Sequence, residues 1–570
     1  MLTDPLWIGS GPPLAAWLHR PEDSMVHAIA VACGPVLGED ATKGRMAFIA
    51  LAEILSDRGI ALLRFDYEGT GDSAGSSMDV GQVQRWRDSV KRAVDYACQI
   101  TYAPCILVGM RLGSIFAADV AQEDSRISGI LLWDPVYSVR RYLREQKIFV
   151  SSVFGVAQPE DGSFAGAGYT LARDSVADLE GLVLTSPDGR VADRTASVLI
   201  ATRVGDRSGA PEVANFAKVG AKRLELRGQA ALMELPPHEV RPDRVDLRAL
   251  AEWISERSGT AEWPAAPSIV DHAEMLVQVE SATQWGPSLV DPPKVIERFR
   301  RLGSVPLYGV ETDPGVAGDP LATVVFLSAG ALERFGPGRL WVELARNLAA
   351  KGVSSIRVDN SGVGDTPSRD GLRRGVMLDP GALTDLRDIC EALDAPNGSG
   401  LIFVGLSSGA YHAAEAGLSL QPTAICMVNG SALENPPELS RGDRVDPRRR
   451  AYKPMWPAFR RLAVSHKRLA KVVWHGVGNV AVSASPASIP VRIAERGVNV
   501  LTLATGADRG AFGGNLYWFV RARRARRRGM LEEYRFAIED HPLYTEDARR
   551  VVGRVLLDFL VEHATSRTFQ

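Results

Sequence analysis

The sequence predicts an α/β fold written twice, as two mostly parallel sheets each covered by helices on both faces. Three observations predict it. Strand-like and helix-like segments alternate along most of the chain, the order that builds a parallel sheet. The short runs "CILV" before Gly109 and "LIFV" before Gly405 are apolar throughout, as strands buried on both sides are. A long internal repeat sets "GRMAFIALAEILSDRGIALLRFDYEGTGDS" (44–73) beside "GRLWVELARNLAAKGVSSIRVDNSGVGDT" (338–366).

Each copy of the repeat reads as a helix, a glycine, a short apolar strand and then an Asp and a Gly-rich turn. The helices rest on apolar spacings of three and four: Phe48, Leu51 and Leu55 in one, Trp341, Leu344 and Leu348 in the other. Gly59 and Gly352 fit C-terminal caps. A second helix follows in each half, with Val83, Trp86, Val90 and Val94 on one face, and Leu383, Leu386, Cys390 and Leu393 on its counterpart. A buried strand, a glycine-bounded turn, a small-residue helix and a further strand ("SGILLWDPV", "TAICMVNGS") complete the shared part. The first half closes with "LRALAEWISERS", and "GTAEWPAAPS" (259–268) has linker composition, so the domains are 1–265 and 266–570. Within the unassigned stretch 269–300 begins "PKVIERFRRLGSVPLYGVETDP", which reads as the opening strand pair of the second domain.

The chain has 570 residues, 45% hydrophobic and 24% charged, with a formal net charge of -2. That length exceeds one core. Near-neutral charge supplies no global attraction for nucleic acid or membrane surfaces. No apolar run reaches the roughly 20 residues that span a bilayer, and the first residues lack a signal-peptide pattern. Five scattered cysteines without C-x-x-C spacing suggest neither metal nor disulfides, and a reducing, cytoplasmic compartment is expected. No cofactor or metal is called for.

The two turns are "GMRLG" (109–113) and "GLSSG" (405–409). The second fits Gly-x-Ser-x-Gly with Ser407 at its centre; the first has Arg111 there. With the upstream Asp-x-x-Gly-x-Gly-Asp turn, this pattern resembles the α/β-hydrolase superfamily across nearly all of the chain, in two copies. Within it, "GPGRLWVELARNLAAKGV" and "GMRLG" look like the hydrolases associated with bacterial exosortase systems. The resemblance implies two tandem α/β-hydrolase folds, the second with a basic helical cap insert at about 434–485.

In that fold Ser407 sits on a sharp strand–helix turn as the nucleophile. The N–H of Ser408 faces a developing oxyanion, with the N–H of Ala331, in the loop "FLSAGAL", as second donor. The order nucleophile, acid, base assigns Asp508, after the strand "GVNVLTLATG", and His541, in the loop after the strand-like "YRFAI". Asp540 adjoins His541 but points away from it, and His412, on the helix leaving the turn, is read as a packing or surface histidine.

Arg111 stays protonated and cannot be an acyl nucleophile. Asp206 holds the acid-like position of the first domain, and His238 is its one candidate base, in surroundings unlike "EDHPL". Arg111 therefore either pairs with an internal carboxylate, Asp206 or Asp134, or binds an anion at a helix N-terminus. The insert "SRGDRVDPRRRAYKPMWPAFRRLAVSHKRLAKVVW" and the run "RARRARRRG" (521–529) are either solvated helical faces or, around Arg448, Arg449 and Arg450, an anion-binding cap for a small-molecule or carrier-bound acyl thioester, such as one on coenzyme A or an acyl carrier protein. The sequence thus predicts a serine hydrolase or acyltransferase acting on an ester or thioester, with a first domain that scaffolds or binds. The competing expectation is a non-catalytic scaffold built on two hydrolase folds.

Overall fold

The computed structural model describes residues 1–22, 26–101, 104–185, 197–206, 209–258, 274–278, 294–314, 322–369, 381–430, 489–506 and 516–565. The stretch 259–268 expected as a linker, the stretch 434–485 expected as a cap insert, with Arg448, Arg449 and Arg450, and Asp508 lie outside these described residues.

The first domain opens on an antiparallel pair, β1 (Leu2–Ile8) and β2 (Leu14–Arg20). It continues through β3 (Ala28–Cys33), α1 (Gly38–Ser56), β4 (Ile60–Phe65), α2 (Gln82–Thr101), β5 (Cys105–Met110), α3 (Gly113–Glu123) and β6 (Ile127–Trp133). An excursion follows, of α4 (Val139–Phe154), the hairpin β7 (Phe164–Gly166) and β8 (Tyr169–Leu171), and α5 (Arg173–Glu180). The chain then returns to the sheet as β9 (Ser197–Arg203), α6 (Ala210–Lys218), β10 (Lys222–Leu226), α7 (Gln229–Glu234) and α8 (Arg244–Ser255). The sheet order is β1-β2-β4-β3-β5-β6-β9-β10, parallel from β4 onward.

The second domain repeats the plan. Its strands β11 (Glu274–Gln278), β12 (Lys294–Leu302) and β13 (Leu307–Pro314) pair antiparallel. Then come β14 (Thr323–Leu327), α9 (Leu340–Ala350), β15 (Ser355–Val358), α10 (Ala382–Ala392), β16 (Leu401–Leu406), α11 (Ser408–Ser419) and β17 (Ala424–Val428). From residue 489 the chain runs through α12 (Ile489–Ala494), β18 (Asn499–Ala504), α13 (Leu516–Arg527), β19 (Leu531–Arg535) and α14 (Glu546–Thr565). The order is β11-β12-β13-β15-β14-β16-β17-β18-β19, which matches the first sheet with β11 added at the edge. Strand β11 falls in the stretch that the sequence left unassigned. The last strand begins three residues before "YRFAI", because its pairing with β18 runs from Leu531 to Arg535. Apolar clusters cover both faces of each sheet, as the uniformly apolar strands require.

The two domains meet through matching elements. Trp7, Ala15 and Trp17 pack against Phe299 and Val310, with Trp7 stacked on Phe299 at 4.7 Å. Beside this patch lies a buried lattice of charge. Arg64 and Arg357 each stand two residues before the Asp that opens a Gly-rich turn, and Asp72 and Asp365 close those turns. The pairs cross over: Arg64 bonds Asp365, and Arg357 Nη2 lies 3.3 Å from Asp72 Oδ1. Each domain therefore lends an arginine to the other's turn, an exchange characteristic of a two-fold interface. Arg334, 1% exposed, adds bonds to Asp359, to Asp72 at 2.8 Å and to Asp365 at 3.0 Å. Arg45 spans Asp66 at 3.0 Å and Glu333 at 3.1 Å. Burial alone would raise the Glu297 carboxyl, but Arg346 and Arg357 outweigh it and hold it down at about 2.

Candidate active site

Both elbows have the conformation that their spacing predicts. Ser407 has φ 55° and Arg111 φ 52°, a left-handed backbone that costs an L-residue energy and lifts its side chain clear of the sheet. The flanking glycines are required by close approach: a Cβ on Gly405 would lie 2.0 Å from the Gly409 oxygen, and one on Gly113 would lie 2.2 Å from the Cys33 oxygen. The Ser407 N–H donates to Val428 O at 2.9 Å and the Arg111 N–H to Trp133 O at 3.0 Å, so each elbow is tied to the neighbouring strand end.

His541 Nε2 lies 3.1 Å from Ser407 Oγ, across 134 residues of sequence. The structure thus brings together two of the three residues that motif order assigned; the third, Asp508, is outside the described residues. The His541 loop is anchored by residues that the sequence did not single out. Asn429, at the end of β17 with φ 49°, donates from Nδ2 to His541 O at 2.6 Å and to Thr505 Oγ1 at 2.9 Å. The Thr505 hydroxyl donates in turn to Asp540 O at 2.7 Å. The Asp540 carboxylate is committed to the loop itself, accepting from Tyr544 N at 2.9 Å and from Thr545 N and Oγ1 at 2.6 Å each. That assigns Asp540 a cap-like task at the start of α14 and agrees with its reading as a poor orienter. A signal was present: polar residues directly after the apolar strands β17 and β18 stand where chemistry gathers in such sheets.

Ser408 is the first residue of α11, where helix N–H groups lack intrahelical acceptors. Its hydroxyl accepts from Gly330 N at 2.5 Å, which ties the loop after β14 to the elbow. Ala331 is the next residue of that loop. Behind the elbow, His412 is buried and bonds Asn360 Nδ2 through Nδ1 at 2.6 Å. Burial pushes its imidazole down to about 4, so it packs as a neutral ring.

In the first domain Arg111 is enclosed by carboxylates. Its Nε lies 3.2 Å from Asp40 Oδ2, and its Nη1 lies 3.4 Å from Asp134 Oδ2. Tyr142, on α4, donates its hydroxyl to the same Asp40 oxygen at 3.1 Å and sets its ring 5.5 Å from the guanidinium. Burial lowers the arginine's affinity for its proton, but Asp40 and Asp134 outweigh that and hold it above its usual value. Of the two partners expected, Asp134 is one. No bond between Asp206 and Arg111 occurs: the Asp206 backbone oxygen accepts from Arg223, while Arg203, on β9, takes Asp134 as well. Asp40 was missed because it comes from the first turn of α1, with no local pattern to mark it. Asp134 stands at the end of β6 as Asn429 stands at the end of β17, so the change from serine to arginine accompanies a change from amide to carboxylate beneath it. His238 is a third exposed and lies 3.6 Å from Glu239.

Part of the run 521–529 belongs to α13, where Arg521 pairs with Glu495 and Arg526 with Glu533. Among the described residues, no helix is long and apolar enough to cross a membrane, and no cluster of His, Cys, Asp and Glu could hold a metal.

Residues 43–163 match the profile of a family described as serine aminopeptidase, S33, and residues 324–555 match the one described as alpha/beta hydrolase family. No curated protein sequence matches the chain. Among solved structures, Est1E from Butyrivibrio proteoclasticus is 17% identical, with 44% of this chain aligned to 96% of that one at a TM-score of 0.32. An esterase domain of a Rhodothermus marinus protein is 18% identical, with 45% of this chain aligned to 99% of that one at a TM-score of 0.31. Two profiles in tandem over two sheets of the same order, each with its own elbow, make this chain a member of the α/β-hydrolase superfamily with two hydrolase domains in one polypeptide.

Proposed function

We propose that the second domain is a serine hydrolase or acyltransferase acting on an ester or thioester through Ser407, His541 and Asp508, with the first domain as its scaffold. The observation that carries this reading is the 3.1 Å contact between His541 Nε2 and Ser407 Oγ at a strained elbow. Ser407 Oγ attacks the acyl carbon as its proton passes to Nε2. The oxyanion is met by the N–H groups of Ser408 and Ala331, each donor worth about 3 kcal/mol. Collapse expels the alcohol or thiol, which takes the proton back from His541. The acyl group then leaves Ser407 for water or for a second acceptor, and Asp508 orients the imidazole and stabilises its charge. The basic insert around Arg448, Arg449 and Arg450 favours an anionic acyl donor, such as a coenzyme A or carrier-protein thioester. The odd number and scattered positions of the five cysteines suit a reducing compartment such as the cytoplasm.

Fluorophosphonate labelling followed by intact mass tests the reading. One adduct is expected on the wild type, none on Ser407→Ala, and strongly slowed labelling on His541→Ala. A folded wild type that takes no label would be the scaffold, not the enzyme.

A further inference from the structure

The His541 loop is held from two sides, and the second side belongs to the other domain. Within its own domain the loop is fixed by Asn429, Thr505 and the Asp540 carboxylate. Between His541 and α14 it passes through Leu543, whose φ of 56° is a conformation that surroundings must enforce on a leucine. The next residue, Tyr544, turns its ring into the first domain. It meets the Phe154 ring edge to face at 4.9 Å and joins a cluster with Val150, Val156 and Ala167. The hairpin backbone lies against it: a Cβ on Gly168 would be 3.3 Å from Tyr544 Cδ1. Arg549 closes the arrangement. It is buried, and its bonds run to Leu543 O at 3.2 Å and Tyr544 O at 2.6 Å on one side, and to Thr170 Oγ1 of the hairpin at 3.2 Å on the other.

The helix carrying Phe154 is the one rooted on the first elbow. Tyr142, near the start of α4, bonds Asp40 beside Arg111, while Val150 and Phe154 at its far end reach Tyr544. A 16-residue helix spans about 24 Å, so one rigid rod joins the arginine elbow to the histidine loop.

We infer that the excursion of the first domain, α4 with the β7–β8 hairpin, is a positioning device for His541, acting through Tyr544 and Arg549. The domain without a nucleophile keeps the base of the other domain in register. The kinetic part of this inference rests on the serine-hydrolase reading; the structural part does not.

The test uses the full chain at a temperature where every variant is folded, with p-nitrophenyl acetate and a fluorophosphonate as probes. Tyr544→Ala should lower kcat and the labelling rate about 10- to 100-fold with KM nearly unchanged, the effect of a misplaced base. Tyr544→Phe, which keeps the ring, should stay within about twofold of wild type. Phe154→Ala, in the other domain, should act in the same direction as Tyr544→Ala. The ascending limb of the pH profile of kcat/KM should move in both alanine variants and not in Tyr544→Phe. Hydrogen exchange at the Tyr544 and Thr545 amides supplies a readout free of turnover, and Phe154→Ala should speed it at least about tenfold. Unchanged exchange in Phe154→Ala, or unchanged labelling and pH profile in both alanine variants, would overturn the inference. A wild type that takes no label but exchanges as expected would overturn the hydrolase reading alone.

Discussion

Replacing Arg334 by methionine keeps most of its volume and removes one buried charge from the seam between the domains. Three carboxylates then lose a partner, but unequally. Asp72 keeps Arg357 at 3.3 Å, and Asp365 keeps Arg64. Asp359 keeps only backbone donors, the N–H of residue 334 at 2.7 Å and that of Asp365 at 3.2 Å. One fully buried carboxylate is thus left without a cation, a change that costs about 3–5 kcal/mol. The loss should depend on pH. Burial, with Asp365 close by, already holds the Asp359 carboxyl well above the usual range, and removing Arg334 pushes it further up. An unfolded aspartate titrates near about 3.9. Above that pH the folded variant holds a proton that the unfolded chain has released, so its stability falls as pH rises toward the elevated folded value. The deficit against wild type should be larger at pH 8 than at pH 5. Urea unfolding followed by tryptophan fluorescence measures it, because the Trp17 ring lies 5.0 Å from the Arg334 guanidinium and reports the seam directly. Adding Asp359→Asn should recover at least half of the loss. A loss below about 1 kcal/mol, or one equal at both pH values, would refute the claim that this lattice is a buried, mutually dependent set.

Two further outcomes are expected. In a Ser407→Ala background, Arg111→Ser should take no fluorophosphonate at position 111, and mass spectrometry of the labelled chain checks this. It should also cost about 1–3 kcal/mol rather than the full price of a buried pair, since Asp134 retains Arg203 and Asp40 retains the Tyr142 hydroxyl. His412, held neutral down to about 4 against an ordinary 6.5, should make the protein lose up to about 3 kcal/mol as pH falls between those values, because the unfolded chain binds the proton first. The same urea measurement on His412→Asn should show a flatter acid limb, and identical slopes would rule the histidine out.

What the sequence made legible were features with a local cause. The elbow glycines are dictated by contacts within a few residues or with the adjacent strand end, and the parallel pairing of the sheet follows from the alternation of strands and helices. His541 could be placed because motif order fixes which strand end it follows. Asp40, Tyr142 and Arg203 around Arg111 come from three separate elements, and no spacing records their meeting. The charge lattice did leave one trace. Arg64 interrupts an otherwise apolar strand, Arg357 stands between Ile356 and Val358, and a buried arginine demands a partner. The sequence could state that demand but not its answer, since the partners lie in the opposite domain.

The crossed pairs Arg64–Asp365 and Arg357–Asp72 have a consequence for inheritance. When two identical chains associate about a two-fold axis, every substitution arrives twice, once in each partner, and a change that ruins one site ruins both. Two copies encoded in tandem escape that rule while the seam between them stays matched. One elbow can become an arginine, surrounded by its own carboxylates, while the other keeps its serine. Covalent tethering also holds the partners together at any dilution, so the altered copy cannot be exchanged for an unaltered one. Divergence of the two halves is in this sense a property of the seam as much as of the elbows.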